Sequence, residues 1–309
     1  MNVVGKGRRI KPYLFMLPGL ASMLLITFVP VVYSIYIAFT NFSTKHLLDF
    51  ELVGWKNFQR ILTGVDQQNF INVLTWTLIW AFSTTVINLI AGLLLALLLN
   101  NPRIRERNLY RTILIYPWAL PATLTIMVWG GLLNSNFGPV NQMLQVLSIS
   151  PVPWLTDPTW ARISCIVVNL WLGYPFMMSA FLGALQSIDQ TLYDAAAIDG
   201  ADSQQRFWYI TFPLLRHATL PLLITSFAYN FNGFGVIFLL TGGGPITSID
   251  PRAPGATDLL STYMYKLAFG DVSKLYGVAA ATGIIIFIFV GGLTLLNSFM
   301  TGAFKEIDT

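Results

Sequence analysis

Six long apolar runs, nearly free of charge, most restrict what this chain can become: residues 12–39, 70–99, 112–133, 161–185, 220–240 and 276–299. An α-helix needs about 20 predominantly apolar residues to cross the hydrocarbon of a bilayer, and each run reaches that length. Only 10% of the 309 residues are charged and 55% are hydrophobic, whereas a soluble domain averages about a quarter charged. Too little polar surface exists to cover a water-soluble core. A transmembrane barrel would show alternating segments of about 10 residues instead. The expected fold is all-α: a polytopic membrane protein with six transmembrane helices in residues 12–300, cytoplasmic tails at 1–11 and 301–309, and a lipid bilayer as its solvent.

The basic residues orient the spans. Lys6, Arg8, Arg9 and Lys11 precede the first run and place the N-terminus in the cytoplasm. That run exceeds the apolar core of a signal peptide, about 7–15 residues, and lacks a small-x-small cleavage site, so it reads as a retained anchor helix. Six spans then put the C-terminus, with Lys305, on the same side. The loop between spans two and three is also cytoplasmic and carries Arg103, Arg105, Arg107 and Arg111 against Glu106. The loop between spans four and five follows, about 186–218, with Arg206 and Arg216. External loops are balanced, with Lys45, Lys56 and Arg60 against Asp49, Glu51 and Asp66. The third external loop, about 242–275, opens on Gly242-Gly243-Gly244-Pro245; within it Thr257-Asp258-Leu259-Leu260 reads as a cap before a short helix.

Prolines at 18, 30, 117, 121, 175 and 221 interrupt the runs. Each removes an intrahelical hydrogen bond and invites a bend, which membrane bundles tolerate. Pro175 differs, because it lies in Asn169-Leu170-Trp171-Leu172-Gly173-Tyr174-Pro175-Phe176, a polar and aromatic cluster at mid-membrane depth. The single cysteine, Cys165, excludes an intramolecular disulfide and a cysteine metal cluster and reads as a small buried hydrophobe.

Absences narrow the chemistry. There is no Gly-x-x-x-x-Gly-Lys-Ser/Thr loop for nucleotide phosphates and no His-Glu-x-x-His pattern. His46 and His217 are the only histidines, and both lie outside the runs. No catalysis, cofactor, metal or nucleic acid is expected in this chain. The middles of the runs carry almost no ionisable group, whereas coupled ion or proton paths usually show one. Arg162, at a span end, can snorkel. The driving force then comes from elsewhere, and the cargo is uncharged, since an anion would want a buried Arg or Lys.

Neutral polar groups remain. Asn169 lies in the fourth run; Ser226, Tyr229, Asn230 and Asn232 lie in the fifth. Ser226 and Asn230, four apart, share a helix face with Tyr229 beside them. Amides and hydroxyls flanked by rings suit a neutral polyol. They suit interhelical hydrogen bonding equally, at about 0.6 kcal/mol per contact. Asn88 and Asn297, without aromatic company, read as interhelical contacts.

A polar, small-residue island at 193–213 separates the fourth and fifth runs. It suits two short helices joined at Gly200, which can take the left-handed conformation that ends a helix. Small side chains admit a close partner, and Asp194, Asp199 and Asp202 offer charge to a basic cleft. A solvated loop with a surface helix would look the same.

The island also resembles the EAA loop of permease subunits in binding-protein-dependent ABC importers. The matching residues are Asp194, Ala195, Ala196, Asp199, Gly200, Ala201, Ile210 and Pro213, with Tyr193 preceding them; Asp194 stands where glutamate is usual. The similarity covers nearly the whole chain and is strongest from about 154 to 297, where it looks like the larger permease subunit of maltose/maltodextrin importers. The resemblance implies a type I importer permease core in the cell membrane. It implies a second permease, an ATPase dimer carrying ATP and Mg2+, and a solute-binding protein that delivers oligosaccharide. By position it implies a sugar site at Asn169, Leu172, Gly173, Phe176, Ser226, Tyr229, Asn230 and Gly233. Phe176 replaces an expected tyrosine and Gly233 an expected asparagine, which leaves the sugar open. Another neutral sugar or glycerol phosphate would be carried by the same machinery. A stand-alone secondary carrier is the reading from a different class.

Overall fold

The computed structural model describes residues 6–101, 103–250, 252–270 and 274–301. In chain order its helices are α1 (Lys6–Met23), α2 (Val29–Ala38), α3 (Lys56–Leu62), α4 (Gln67–Leu99), α5 (Arg107–Ala119), α6 (Ala122–Leu132), α7 (Pro139–Val146), α8 (Pro158–Gln186), α9 (Gln190–Ile198), α10 (Ser203–Arg206), α11 (Phe212–Phe231), α12 (Gly235–Leu240), α13 (Leu260–Phe269) and α14 (Tyr276–Thr301). Five-residue π-helical stretches join α1 to α2 and α10 to α11. Extended pairing among the described residues is limited to two isolated bridges, Thr40 with Leu52 and Ser43 with His46.

The expected spans appear as four unbroken helices, Phe15–Ala38, Gln67–Leu99, Pro158–Gln186 and Tyr276–Met300, and two bent pairs, Arg107–Ala119 with Ala122–Leu132 and Ser203–Arg216 with Thr219–Phe231. The third run, expected as one helix over 112–133, is broken by a 91° bend between α5 and α6. Leu120 sits there in extended conformation at φ −85°, ψ 145°, because the ring of Pro121 disfavours helical dihedrals at the residue before it. The fifth run, expected over 220–240, starts earlier, as α11, and leaves the helix after Phe231 before restarting as α12. Asn232-Gly233 makes that break, a pair that favours turns. α8 continues through Pro175. The first helix begins at Lys6, inside the stretch expected as a tail. The side chains of Lys6, Arg8, Arg9, Lys11 and His217, and the expected tail with Lys305, lie outside the described residues.

The chain forms two compact units. The smaller comprises Met1–Gln67 and Met264–Ile285. In it Asn57 caps the end of α2, its amide donating to the carbonyls of Ala38 (2.8 Å) and Thr40 (2.7 Å). The Gly277 amide donates to the Phe42 carbonyl at 2.9 Å, and Arg60 pairs with Asp66.

The larger unit, Gln68–Tyr263 with Ile286–Thr309, holds the apolar core. Ala96 and Leu99 of α4 pack on Met177, Met178, Phe181, Leu182 and Leu185 of α8 and Leu215 of α11. The buried stripe of α4 carries the rings of Phe70, Trp76 and Trp80 in its first half, and from Ala81 to Ala96 it is small or polar: Ala81, Thr84, Thr85, Asn88, Gly92 and Ala96. On its other face the large residues Ile79, Phe82, Ile90, Leu94 and Leu98 are exposed. This is a membrane helix turned as lipid demands. Small residues let backbones approach, and leucines face hydrocarbon at no cost. A Cβ on Gly92 would lie 2.4 Å from the Cβ of Met177, so glycine is what allows α4 and α8 to touch.

Candidate functional site

A thread of amides crosses the larger unit from α4 to α8 to α11. Asn88 Nδ2 donates to Asn169 Oδ1 at 2.9 Å, Asn169 Nδ2 to Asn230 Oδ1 at 3.3 Å, and Asn230 Nδ2 to Thr85 Oγ1 at 3.1 Å. The Trp80 indole donates to the Asn230 carbonyl at 3.1 Å. Gly173 makes the crossing possible, since a Cβ there would lie 2.7 Å from Asn88 Nδ2. Asn297 of α14 similarly donates to Thr225 of α11 at 3.1 Å.

The residues proposed for sugar contact therefore divide. Asn230 is buried and its side chain is engaged by the bundle, while Tyr229 is 79% exposed. The two do not form one surface, although their sequence spacing allows it. Asn169, Leu172, Gly173, Ser226 and Gly233 are half-buried. Phe176 is exposed and lies 6.4 Å from the Trp118 ring of α5. Gly233 gives its carbonyl to the Ser261 hydroxyl. The rings continue along α8: Trp171 lies 5.9 Å from Trp129 of α6 and 6.5 Å from Tyr174. Trp118 and Trp129 were not distinguished in the sequence from other apolar-run residues. What a ligand can reach here is aromatic: Phe176, Trp118, Trp171 and Tyr229 all present exposed ring area.

The polar island folds as an elbow. Asp189 caps α9, accepting from the Thr191 amide at 2.9 Å; that bond holds its carboxyl below the ordinary aspartate range. α9 ends in a Schellman motif. The Ala201 amide donates to the Ala196 carbonyl at 2.8 Å, the Gly200 amide to Ala197 at 3.2 Å, and Gly200 adopts φ +81°, the left-handed geometry that favours glycine. α10 begins with a reciprocal capping box between Asp202 and Gln205. Tyr193 returns to the far arm, its hydroxyl 2.9 Å from Thr211 Oγ1. Asp194, Ala195, Asp199, Gly200 and Pro213 are exposed; Tyr193, Ala196, Ala201 and Ile210 are half-buried. Leu192, Ile198, Trp208, Tyr209 and Phe212 add exposed apolar surface around them. Exposed apolar side chains gathered on one elbow are of the kind that mark interaction sites.

At the other end of α8, Arg162 does not extend freely. Its Nε donates to the Ala256 carbonyl at 2.8 Å, and its guanidinium lies 4.6 Å above the Trp76 ring. Asp258 accepts from the Gly255 amide (2.8 Å) and the Thr262 hydroxyl (2.9 Å), and Thr257 donates to the Gly244 carbonyl at 2.6 Å. The loop after α12 is therefore a built structure. Among the described residues, no three His, Cys, Asp or Glu side chains converge on a metal-sized site.

Residues 88–302 match the family described as binding-protein-dependent transport system inner membrane component. The chain is 37% identical over 300 residues to the galactooligosaccharides transport system permease protein GanP of Bacillus subtilis, covering 96% of this chain and 71% of that one. It is 36% identical over 304 residues to the maltodextrin transport system permease protein MdxF of the same organism, covering 95% and 69%. A bacterial alginate ABC transporter, solved with an alginate pentasaccharide-bound periplasmic protein, superposes with a TM-score of 0.76 at 25% identity, covering 95% of this chain and 96% of that one.

Proposed function

The chain belongs to the family of inner membrane components of binding-protein-dependent transport systems, and on that premise we propose that it is the permease subunit through which an ABC importer passes an oligosaccharide of the maltodextrin type. The observation that carries this reading is the elbow of α9 and α10, capped at both arms, exposed, and bonded to the root of a spanning helix through Tyr193 and Thr211. In this reading ATP and Mg2+ act in a partner ATPase dimer. Closure of that dimer pushes the elbow, the elbow turns α11, and the bundle exchanges inward-open for outward-open access. A second permease completes the pathway, and a solute-binding protein delivers the sugar at the face of the loop after α12. The termini and the elbow face the cytoplasm.

Similarity to MdxF and the neutral, aromatic character of the reachable surface support maltodextrin. Similarity to GanP favours a second reading, a galactooligosaccharide. Uptake of labelled maltodextrin, galactooligosaccharide and glycerol phosphate, in cells whose only importer contains this subunit, decides among them. The reading predicts maltodextrin uptake that stops when the ATPase is inactivated. Uptake by the purified chain alone in liposomes would reject it in favour of a self-sufficient carrier.

A further inference from the structure

Where α4 passes into α5, the larger unit holds an open cavity of about 580 Å³ with two kinds of lining residue. Leu95, Leu98 and Leu99 from the last turns of α4, Ile104, and Leu114 from α5 line it with aliphatic carbon. Arg103, Arg105 and Glu106 bring charge to the lining, and Tyr110 also lines the cavity. The turn between α4 and α5 is fixed by Asn101, whose side chain accepts from the Arg103 amide at 3.0 Å. Both arginines are exposed, and neither guanidinium has an ion-pair partner among the described residues. Glu106 opposes them, leaving the lining an excess of one positive charge. The transport reading uses none of these groups.

The combination is selective. Two guanidiniums suit the oxygens of a phosphate, which arginine can grip in a planar fork. A free phosphate ion needs no leucine wall, and a purely apolar occupant needs no arginine. Leu98 on this wall is also among the exposed residues of α4, together with Leu94, so an acyl chain can continue along the outside of the helix. Leu99 closes a helix of membrane-spanning length and apolarity. The cavity therefore lies at a span end, where basic pockets take anionic headgroups and tyrosine is favoured.

We infer that this cavity is a binding site for the phosphate-bearing headgroup of an anionic phospholipid, with Arg103 and Arg105 on the phosphate and Leu98 and Leu114 against the acyl chain. The site holds a lipid that belongs to the membrane and is not transported.

The test uses the full chain purified with its co-assembled subunits, compared with Arg103→Gln/Arg105→Gln, Arg103→Lys/Arg105→Lys and Leu98→Asn. Retention of phosphatidylglycerol against phosphatidylcholine is read by native mass spectrometry from mixed micelles, and competition by added inorganic phosphate is read in parallel. The inference predicts preferential retention of phosphatidylglycerol, weakened roughly fivefold per arginine removed. The lysine pair keeps the preference, Leu98→Asn weakens it, and inorganic phosphate does not compete. Should the glutamine pair fail to assemble, the single variants Arg103→Gln and Arg105→Gln, each predicted to weaken the preference, carry the same test. Equal retention of both lipids by the wild type would overturn the site. Competition by inorganic phosphate with no effect of Leu98→Asn would overturn the lipid as its occupant.

Discussion

The Tyr193 hydroxyl lies 2.9 Å from Thr211 Oγ1 and ties the first arm of the elbow to the residue before α11. Thr211 is buried and Tyr193 half-buried, so the bond is shielded from water. Force on α9 thus has a short route into a spanning helix. Tyr193→Phe removes one neutral hydrogen bond, about 1 kcal/mol, without removing the ring. The expected outcome is normal assembly with fewer sugars imported per ATP hydrolysed, measured in proteoliposomes as the ratio of uptake to phosphate release.

Gly200 is the stricter test of the elbow. At φ +81° a β-branched residue is strained by roughly 1–2 kcal/mol. The position is otherwise open, with nothing within 4 Å of an added Cβ. Gly200→Val should lower uptake sharply while the protein still reaches the membrane. Gly200→Asn, which tolerates left-handed geometry, should retain most uptake. Equal loss in both would point to the added bulk at the partner surface rather than to backbone geometry.

Asn230 and Tyr229 should behave oppositely although they are neighbours. Asn230→Leu breaks the bonds to Thr85 and Asn169, and leaves those groups to find other partners inside the bundle. It should lower the thermal midpoint of the detergent-solubilised assembly. Tyr229→Ala removes an exposed ring and should leave the midpoint unchanged while reducing sugar uptake. Fluorescence-detected thermal unfolding beside uptake separates the two. A stable Asn230→Leu assembly with impaired transport would return Asn230 to the sugar.

Gly92 is expected to tolerate no side chain. Gly92→Leu would drive α4 from α8, since even a Cβ would meet Met177. Overpacking of this kind typically costs about 1–3 kcal/mol. The readout is the yield of monodisperse assembly on size exclusion, predicted to fall below wild type for Gly92→Ala and further for Gly92→Leu.

Arg162 holds the loop after α12 by a hydrogen bond to Ala256 and by stacking on Trp76. Arg162→Ala should loosen residues 252–256 and speed proteolytic cleavage there in oriented vesicles. Arg162→Lys, which cannot reproduce the planar stacking, should fall between the two. Unaltered cleavage would show that the loop is held by Thr257 and Asp258 alone.

Much of this arrangement was legible in residue types. The elbow is written locally: a glycine between two short helices, with Asp189 and Asp202 as caps, needs only chain geometry. The breaks in the third and fifth spans are also local, at Leu120-Pro121 and Asn232-Gly233. Pro121 was legible as an invitation to bend, but nothing in the apolar run around it gives the 91° size of the break, and the fifth run was read straight through Asn232-Gly233. The facing of Asn230 was not legible. Ser226, Tyr229 and Asn230 fall on neighbouring positions of one helix whichever way it turns. Which of them is buried depends on Thr85, Asn88 and Asn169, brought from two other helices. Arg162 was read as free to reach water because its partners, Ala256 and Trp76, are far away in sequence.

The central claim is that the elbow around Asp194–Gly200 receives the work of a separate nucleotide-hydrolysing subunit. Cys165 is fully buried, so Asp199→Cys would place one accessible thiol in this chain, at the tip of the elbow. Photo-cross-linking from that thiol, in membranes actively importing sugar, measures what the elbow touches. The account predicts capture of the ATPase, with a yield that changes between ATP-bound and nucleotide-free states. Efficient labelling of the thiol with no ATPase captured in either state would contradict it.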